Sequence, residues 1–396
     1  MIAPFAIGRL PRIEFGAESL GKLPGIVASF GRRLLIVVGG RSFLSSPSAA
    51  PLFEQLRALG CTWELLPVAS EPSPELVDEA VARWRNEGFE AVIGIGGGSV
   101  LDAAKAIAGL LKPGNSVMEH LEGVGPELRY AGPATPFIAV PTTAGTGSEA
   151  TKNAVLSRHG PDGFKKSFRD EKLMAEYAIV DPDLLATCPP ELIAANGMDA
   201  FTQLLEAYVS IRANPVTDAL ALAGIEAVRD GLIAWYEGGA AAAAAREKMA
   251  LASLLSGICL AQAGLGSVHG LAQPLGSLFP IPHGVVCGTM VAAATEVNIR
   301  VLEEREPGSI APGKYATVGR IFAGDARLDE AAARRCLVAT LSDWTRAMKL
   351  PGLAAFGVGE ADFPRIVANS RGSSMKTNPV VLTDGEVERI LRMRLN

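Results

Sequence analysis

The sequence predicts a two-part fold: an α/β N-terminal domain built on a parallel sheet, then an all-α C-terminal domain. Three observations carry this. A chain of 396 residues is too long for one ordinary core. Its first half alternates short β-branched runs with helical patterns, as a parallel sheet covered on both faces requires. After about residue 185 strand-like runs almost vanish, and long apolar-periodic segments replace them. The expected domains are therefore 1–185 and 186–396.

In the first half, "RLLIVVGG" (33–40) is a strand stopped by two glycines. Further strands are expected at "TWELLPV" (62–68), "AVIGIGGG" (91–98), "PFIAVPTT" (136–143) and "YAIVDP" (177–182), with helices at 73–87 and 100–111. An earlier strand, "RIEFG" (12–16), is a candidate for pairing across a subunit boundary. Helical segments follow at 190–210, 214–237, 240–264, 284–303, 329–348 and 383–394. "CPPEL" (188–192) places prolines where a first helical turn tolerates them. "GGAAAAAAREK" (238–248) reads as an alanine-rich helix start on the surface, and no internal repeat is evident.

Composition excludes several classes. With 48% hydrophobic and 20% charged residues, the chain is expected to fold as a globule. A net charge of −5 without a basic block argues against nucleic acid as a partner. The five cysteines (Cys61, Cys188, Cys259, Cys287, Cys336) are odd in number, widely spaced and without a CxxC, which fits a reducing compartment. No signal peptide and no run of about eighteen uninterrupted apolar residues is read, so a cytoplasmic protein without a membrane span is expected.

Two glycine-rich loops carry the first chemistry. "GIGGGSVLDAAKAIA" (94–108) follows a strand and opens a helix. Gly96, Gly97 and Gly98 let backbone approach a ligand, and the amides of the following helix start can face a pyrophosphate. Ser99 stands where the usual dinucleotide motif has its last glycine, and a plain strand-to-helix turn explains three glycines equally well. "PTTAGTGSE" (141–149) shifts the balance. It also follows a strand, and it sets Thr142, Thr143, Thr146 and Ser148 among glycines, a donor-rich loop suited to phosphate, ribose or nicotinamide. Two such loops at strand ends of one parallel sheet converge on one crevice, which favours a nucleotide. A third turn, "VVGGRS" (37–42), ends an early strand with Gly39, Gly40, Arg41 and Ser42 and no acid. That leans towards NADP over NAD, unless Arg41 is simply a solvated turn residue.

The second half offers a metal. Of four histidines, His120, His159, His269 and His283, the last two lie in "GSVHGLAQPLGSLFPIPHGVV" (266–286). One carboxylate with two neutral imidazoles can hold a divalent ion and leave positions open for substrate. Asp199, in "GMDAFTQLLEAY" (197–208), is the natural carboxylate, and Gln203 lies one helical turn on.

Together these segments resemble the iron-containing (group III) alcohol dehydrogenases, essentially end to end. The carrying residues are "GGGSVLDAAK" (96–105), "PTTAGTGSEAT" (141–151), "NGMDAFTQLLEAYVS" (196–210), "VHGLAQPLG" (268–276) and "PHGVVCG" (282–288). The resemblance implies the dehydroquinate synthase-like architecture: a dinucleotide-binding α/β domain, a helical domain and a catalytic metal between them. It places metal ligands at Asp199, position 203, His269 and His283. Most members have histidine at 203, where this chain has Gln203. Most also have histidine at 273, near the nicotinamide, where this chain has Gln273. The related glycerol dehydrogenases use one aspartate, two histidines and zinc, so the expected ion is Fe2+ or Zn2+.

For the cofactor, NADP or NAD, the resemblance assigns Gly97, Gly98 and Ser99 to the pyrophosphate. It assigns Asp102, Thr142, Thr143 and Thr146 to the loops around phosphates and nicotinamide, and Lys165 or Lys166 to the nicotinamide ribose. Family members with aspartate at position 39 tend to use NAD; Gly39 removes that carboxylate. The implied function is a metal-dependent NAD(P)-linked alcohol dehydrogenase or aldehyde reductase on a small substrate, in a homodimer or larger assembly. With glutamine at 273, proton exchange is expected through water or the cofactor ribose. The alternatives are a metal-independent reductase like the maleylacetate reductases, a dehydroquinate synthase-like lyase, and a non-catalytic nucleotide binder. "NSRGSSMKTNPV" (369–380), with Arg371, Ser373, Ser374 and Lys376, is either a substrate-binding segment for an acidic aldehyde or a solvated loop.

Overall fold

The chain is described by a computed structural model covering residues 2–40, 42–158 and 163–396. It divides into two compact units, Gly8–Cys188 and Pro189–Asn396, a short N-terminal segment grouping with the latter. The division falls three residues beyond the expected 185/186 cut. The Cys188 thiol donates to the Thr142 carbonyl at 3.5 Å, which ties this stretch to the first unit.

The first unit carries a six-stranded parallel sheet: β1 (Arg12–Phe15), β2 (Arg33–Gly39), β3 (Thr62–Val68), β4 (Ala91–Gly96), β5 (Phe137–Pro141) and, after two further strands in the chain, β8 (Tyr177–Val180). Its order is β1-β8-β5-β4-β2-β3. The helices are α1 (Leu23–Ala28), α2 (Ala49–Ala58), α3 (Pro74–Trp84) and α4 (Gly98–Leu110). Strand residues alternate between two cores: Leu35, Val37 and Val92 belong to one, and Leu34, Ile36, Val38 and Ile93 to the other. The chain steps from β2 outward to β3, then returns past β2 to β4. The reversal point therefore lies between β2 and β4, where open α/β sheets place ligands beyond the strand carboxyl ends. β1 pairs with β8 along one side and forms an edge of the sheet.

Two strands escaped the sequence reading. β6 (Asn153–Arg158) and β7 (Phe164–Arg169) form a separate antiparallel pair. "FKKSFR" is half-exposed and basic, so its strand character comes from its partner and not from an apolar pattern.

The second unit is helical: α5 (Pro190–Val209), α6 (Pro215–Glu237), α7 (Ala242–Ala263), α8 (Ser267–Leu278), α9 (His283–Arg305), α10 (Ala311–Ala323), α11 (Glu330–Ala347), α12 (Phe363–Asn369) and α13 (Asp384–Met393). Asn214 and Thr217 form a capping box at the start of α6, with Pro215 in its first turn. The alanine run opens α7 at a largely exposed first turn, as expected, with Ala245 turned into the core. α8, α10 and α12 were not expected. α8 contains Pro274 and two glycines, which weaken its local signal; tertiary contact demands one of them, since a Cβ at Gly270 would sit 3.0 Å from Met375. α9 is long and apolar enough to cross a membrane by length and composition. However, 83% of its apolar stretch is buried inside the unit, the pattern of a core helix.

Candidate functional site

In the α/β unit three loops meet the ends of neighbouring strands. β2 ends at Gly39, β4 at Gly96 and β5 at Pro141, and Gly96 and Pro141 are direct register partners. Thr142 N–H donates to the Gly96 carbonyl at 2.9 Å, so the two glycine-rich loops are joined by backbone. The glycines at 97 and 98 answer to this junction. A Cβ on Gly98 would lie 2.6 Å from Thr146 Cγ2, and one on Gly97 would lie 3.3 Å from Thr143. α4 begins at Gly98 with no side-chain cap, so its first-turn amides are not met by a capping side chain. That is the donor chemistry a pyrophosphate needs. Gly39 is less constrained: a Cβ there would meet nothing closer than 3.8 Å, at Ser42 and Val100. A side chain would fit at 39, so the missing acid is not forced by packing. Arg41 lies outside the described residues.

Other expected cofactor residues are engaged in holding the loops. Asp102 accepts the Ser148 hydroxyl at 2.6 Å and the Val155 amide at 3.1 Å. Its neighbour Lys105, which the sequence reading did not single out, is fully buried. Its Nζ reaches Ser148 O, Ser148 Oγ, Thr151 Oγ1 and Asn153 O at 2.8–3.0 Å. Burial pulls the Lys105 ammonium down to about 8, against the opposing pull of Asp102 and Glu149. Burial likewise raises Glu149 to about 7. Lys165, on β7, is paired with Glu71 at 2.5 Å.

In the helical unit, α5 presents a polar stripe inside an otherwise apolar buried helix. Asp199, Gln203 and Glu206 follow one another at i, i+4 and i+7, a single helix face. Asp199 is 1% exposed. Its Oδ1 lies 3.2 Å from His269 Nε2, on α8, and 3.7 Å from His283 Nε2, at the first position of α9. The structure therefore brings together three of the four expected ligands. Cys287, one turn into α9 from His283, adds a fourth donor: its Sγ lies 3.7 Å from His269 Nε2 and 3.8 Å from His283 Nε2. The donor atoms of Asp199, His269, His283 and Cys287 all lie within 4.8 Å of one another, a group that could converge on one divalent ion. Gln203 is buried one turn from Asp199, and its Oε1 accepts the Ser256 hydroxyl of α7 at 2.7 Å. Gln273 sits on α8 with its Oε1 3.0 Å from where a Cβ on Gly372 would be. The 369–380 segment thus lies against the helix that carries His269. Its Arg371 is occupied by Asp384 and the Leu382 carbonyl.

Glu206 was not foreseen, although it stands in the segment that pointed to Asp199. It accepts the Gly266 and Val268 amides at 2.9 and 2.6 Å and His269 Nδ1 at 2.7 Å. One carboxylate thereby caps α8 and fixes the His269 tautomer with Nε2 directed at Asp199. The signal was present as an acid seven residues after Asp199 in an apolar run. The signal for Cys287 was its four-residue spacing from His283. Of the other histidines, His120 stacks on Phe168 and bonds Leu128 O, a structural role, and His159 lies outside the described residues.

The electrostatics suit a cation. Burial alone would raise the Asp199 carboxyl, but His283, His269 and Cys287 outweigh it and hold it below the usual value. Burial would lower His269, but Cys287, Asp199 and Glu206 raise it well above the ordinary imidazole value. Burial pushes the Cys287 thiol up to about 12, with His269 opposing. The neighbours thus keep Asp199 anionic and favour a positive charge on His269.

Comparison with known proteins identifies the family. The family described as iron-containing alcohol dehydrogenase matches residues 11–182, and its C-terminal counterpart, the Fe-containing alcohol dehydrogenase family, matches 193–395. The NAD-dependent methanol dehydrogenase of Bacillus methanolicus is 30% identical over 97% of this chain and 98% of its own. The lactaldehyde reductase of Escherichia coli (strain K12) is 30% identical over 89% of each. The crystal structure of a 1,3-propanediol oxidoreductase superposes with a TM-score of 0.89 at 28% identity, covering 99% of this chain and 100% of that one. The family implies a nicotinamide dinucleotide and a divalent metal as cofactors. The chain belongs to the iron-containing alcohol dehydrogenase family and is an oxidoreductase acting on CH–OH groups.

Proposed function

We propose that this chain interconverts a small alcohol and its aldehyde, with the metal held by Asp199, His269 and His283 and the dinucleotide by the 96–99 and 141–149 loops. The observation that carries this reading is the convergence of the Asp199 carboxylate and two imidazole Nε2 atoms from three separate helices. A divalent ion held there supplies Lewis-acid polarisation of a carbonyl oxygen. The chain's own part is positional. Asp199 provides the anionic charge in a buried setting, and Glu206 holds the His269 ring. The glycine and threonine loops orient the nicotinamide nucleotide, which performs the hydride chemistry. Gln273 has no proton to exchange at neutral pH, so it orients substrate or solvent and does not act as an acid. The lean towards NADP rests on Gly39 and Gly40 ending β2 without an acid.

The test is reduction of short aldehydes by NADPH and NADH, before and after chelation and with Zn2+ or Fe2+ restored. Chelation should abolish turnover and added metal should restore it. Undiminished turnover in a metal-free sample would overturn the metal role and favour a metal-independent reductase. NADH used as well as NADPH would overturn the cofactor preference.

A further inference from the structure

The donor spacing at the metal centre bears on how this chain differs from a site of one carboxylate and imidazoles alone. Ideal tetrahedral zinc, with about 2.0–2.1 Å to nitrogen or oxygen and about 2.3 Å to sulfur, separates its N and O donors by about 3.3 Å and its S and N donors by about 3.6 Å. Asp199 Oδ1 stands 3.2 and 3.7 Å from the two imidazole nitrogens, and Cys287 Sγ stands 3.7 and 3.8 Å from the same two. Four of the six edges of one coordination tetrahedron are thus already near their liganded lengths. Gln203 is different: its amide oxygen is taken up by Ser256 of α7.

We propose that Cys287 is a metal ligand, its thiolate joining Asp199, His269 and His283 in a one-sulfur set that favours zinc over iron. This rests on the metal role proposed above. Binding exchanges the Cys287 S–H proton, released to water, for a metal–sulfur bond, with no change of oxidation state. Charge supports it. A divalent ion facing Asp199 and a thiolate is neutral, which a buried pocket needs. The further carboxylate, Glu206, is offset by the amides of the α8 start. Softness supports it too, because thiolate selects zinc over harder ions. Four protein donors do not bar substrate, since tetrahedral zinc expands to five-coordinate during reaction.

The test uses the full-length protein. X-ray absorption at the zinc edge of the wild-type protein should show a sulfur shell at about 2.3 Å beside nitrogen and oxygen at about 2.0–2.1 Å. In the Co2+-loaded protein a cobalt–thiolate charge-transfer band should appear in the near ultraviolet. It should vanish in Cys287→Ser at equal cobalt content. Zinc affinity of Cys287→Ser should fall at least about 100-fold, beyond the 10–100-fold typical of outer-shell changes. An all-nitrogen-and-oxygen shell in the wild type, or a charge-transfer band surviving in Cys287→Ser, overturns the ligand assignment while leaving the metal role intact. Failure of the wild type to take up any divalent ion overturns both.

Discussion

The candidate nucleotide loops and the candidate metal centre belong to different units and are assembled by different means. The loops are short segments at the ends of β4 and β5, adjacent strands of one sheet, and their shape is set by backbone bonds and absent Cβ atoms. The metal centre is made of side chains from α5, α8 and α9, with Asp199 and His269 separated by 70 positions in the chain. Backbone-built loops tolerate many side-chain identities but not an added methyl where two loops touch. A side-chain centre tolerates neighbouring changes but not the loss of one charge. The two should therefore fail separately, under different substitutions and with different readouts.

The largest effect expected is at the charge of the metal centre. Asp199→Asn removes the carboxylate shared by both imidazoles and should lower carbonyl reduction by about 1000-fold, near 4 kcal/mol of transition-state stabilisation. Nucleotide binding, followed by NADPH fluorescence, should change little. Loss of NADPH binding in that variant would erase the proposed separation. Next comes Glu206→Gln, which keeps shape but weakens the hold on His269. Metal affinity, measured by competition with a chromophoric chelator, should drop about 10–100-fold. An unaltered affinity would reduce Glu206 to a helix cap.

Gly98→Ala attacks the other side. Its Cβ would press on Thr146 at 2.6 Å, an overpacking that costs about 1–3 kcal/mol. The Michaelis constant for the dinucleotide should rise about tenfold while metal content stays at the wild-type level. A variant that loses its metal but keeps that constant would invert the comparison.

The smallest effect concerns pH. In the metal-free protein His269 is raised above its ordinary value. Its contribution to stability is complete below the unfolded value of about 6.5 and is lost as pH rises through the folded one. Metal binding runs the other way, because protons compete for the ligands as pH falls. Melts from about pH 6 to 9 should show the metal-free midpoint falling by a few degrees while the increment from added zinc grows. A metal-free midpoint that climbs across this window would remove His269 from the account.

Much of this is legible in the amino-acid sequence alone. The alternation of strands and helices, the two glycine-rich loops, and Asp199 with His269 and His283 are all local or countable features of the chain. They reflect short-range rules: β-branched runs between glycines, periodic apolar faces, and the donor types that metals and phosphates accept. The packed structure alone decided the rest. "FKKSFR" became a strand because "NAVLSR" pairs with it. α8 forms around a proline and two glycines because Glu206 and Asn378 bond its first amides and Met375 packs against Gly270. Cys287 and Glu206 stand beside Asp199 and His269 because helices distant in sequence bring their side chains within hydrogen-bonding range. The amino-acid order named the kinds of group available to the chemistry. Which of them share a few ångströms was fixed by packing, because burial and charge balance act between residues that are neighbours only in space.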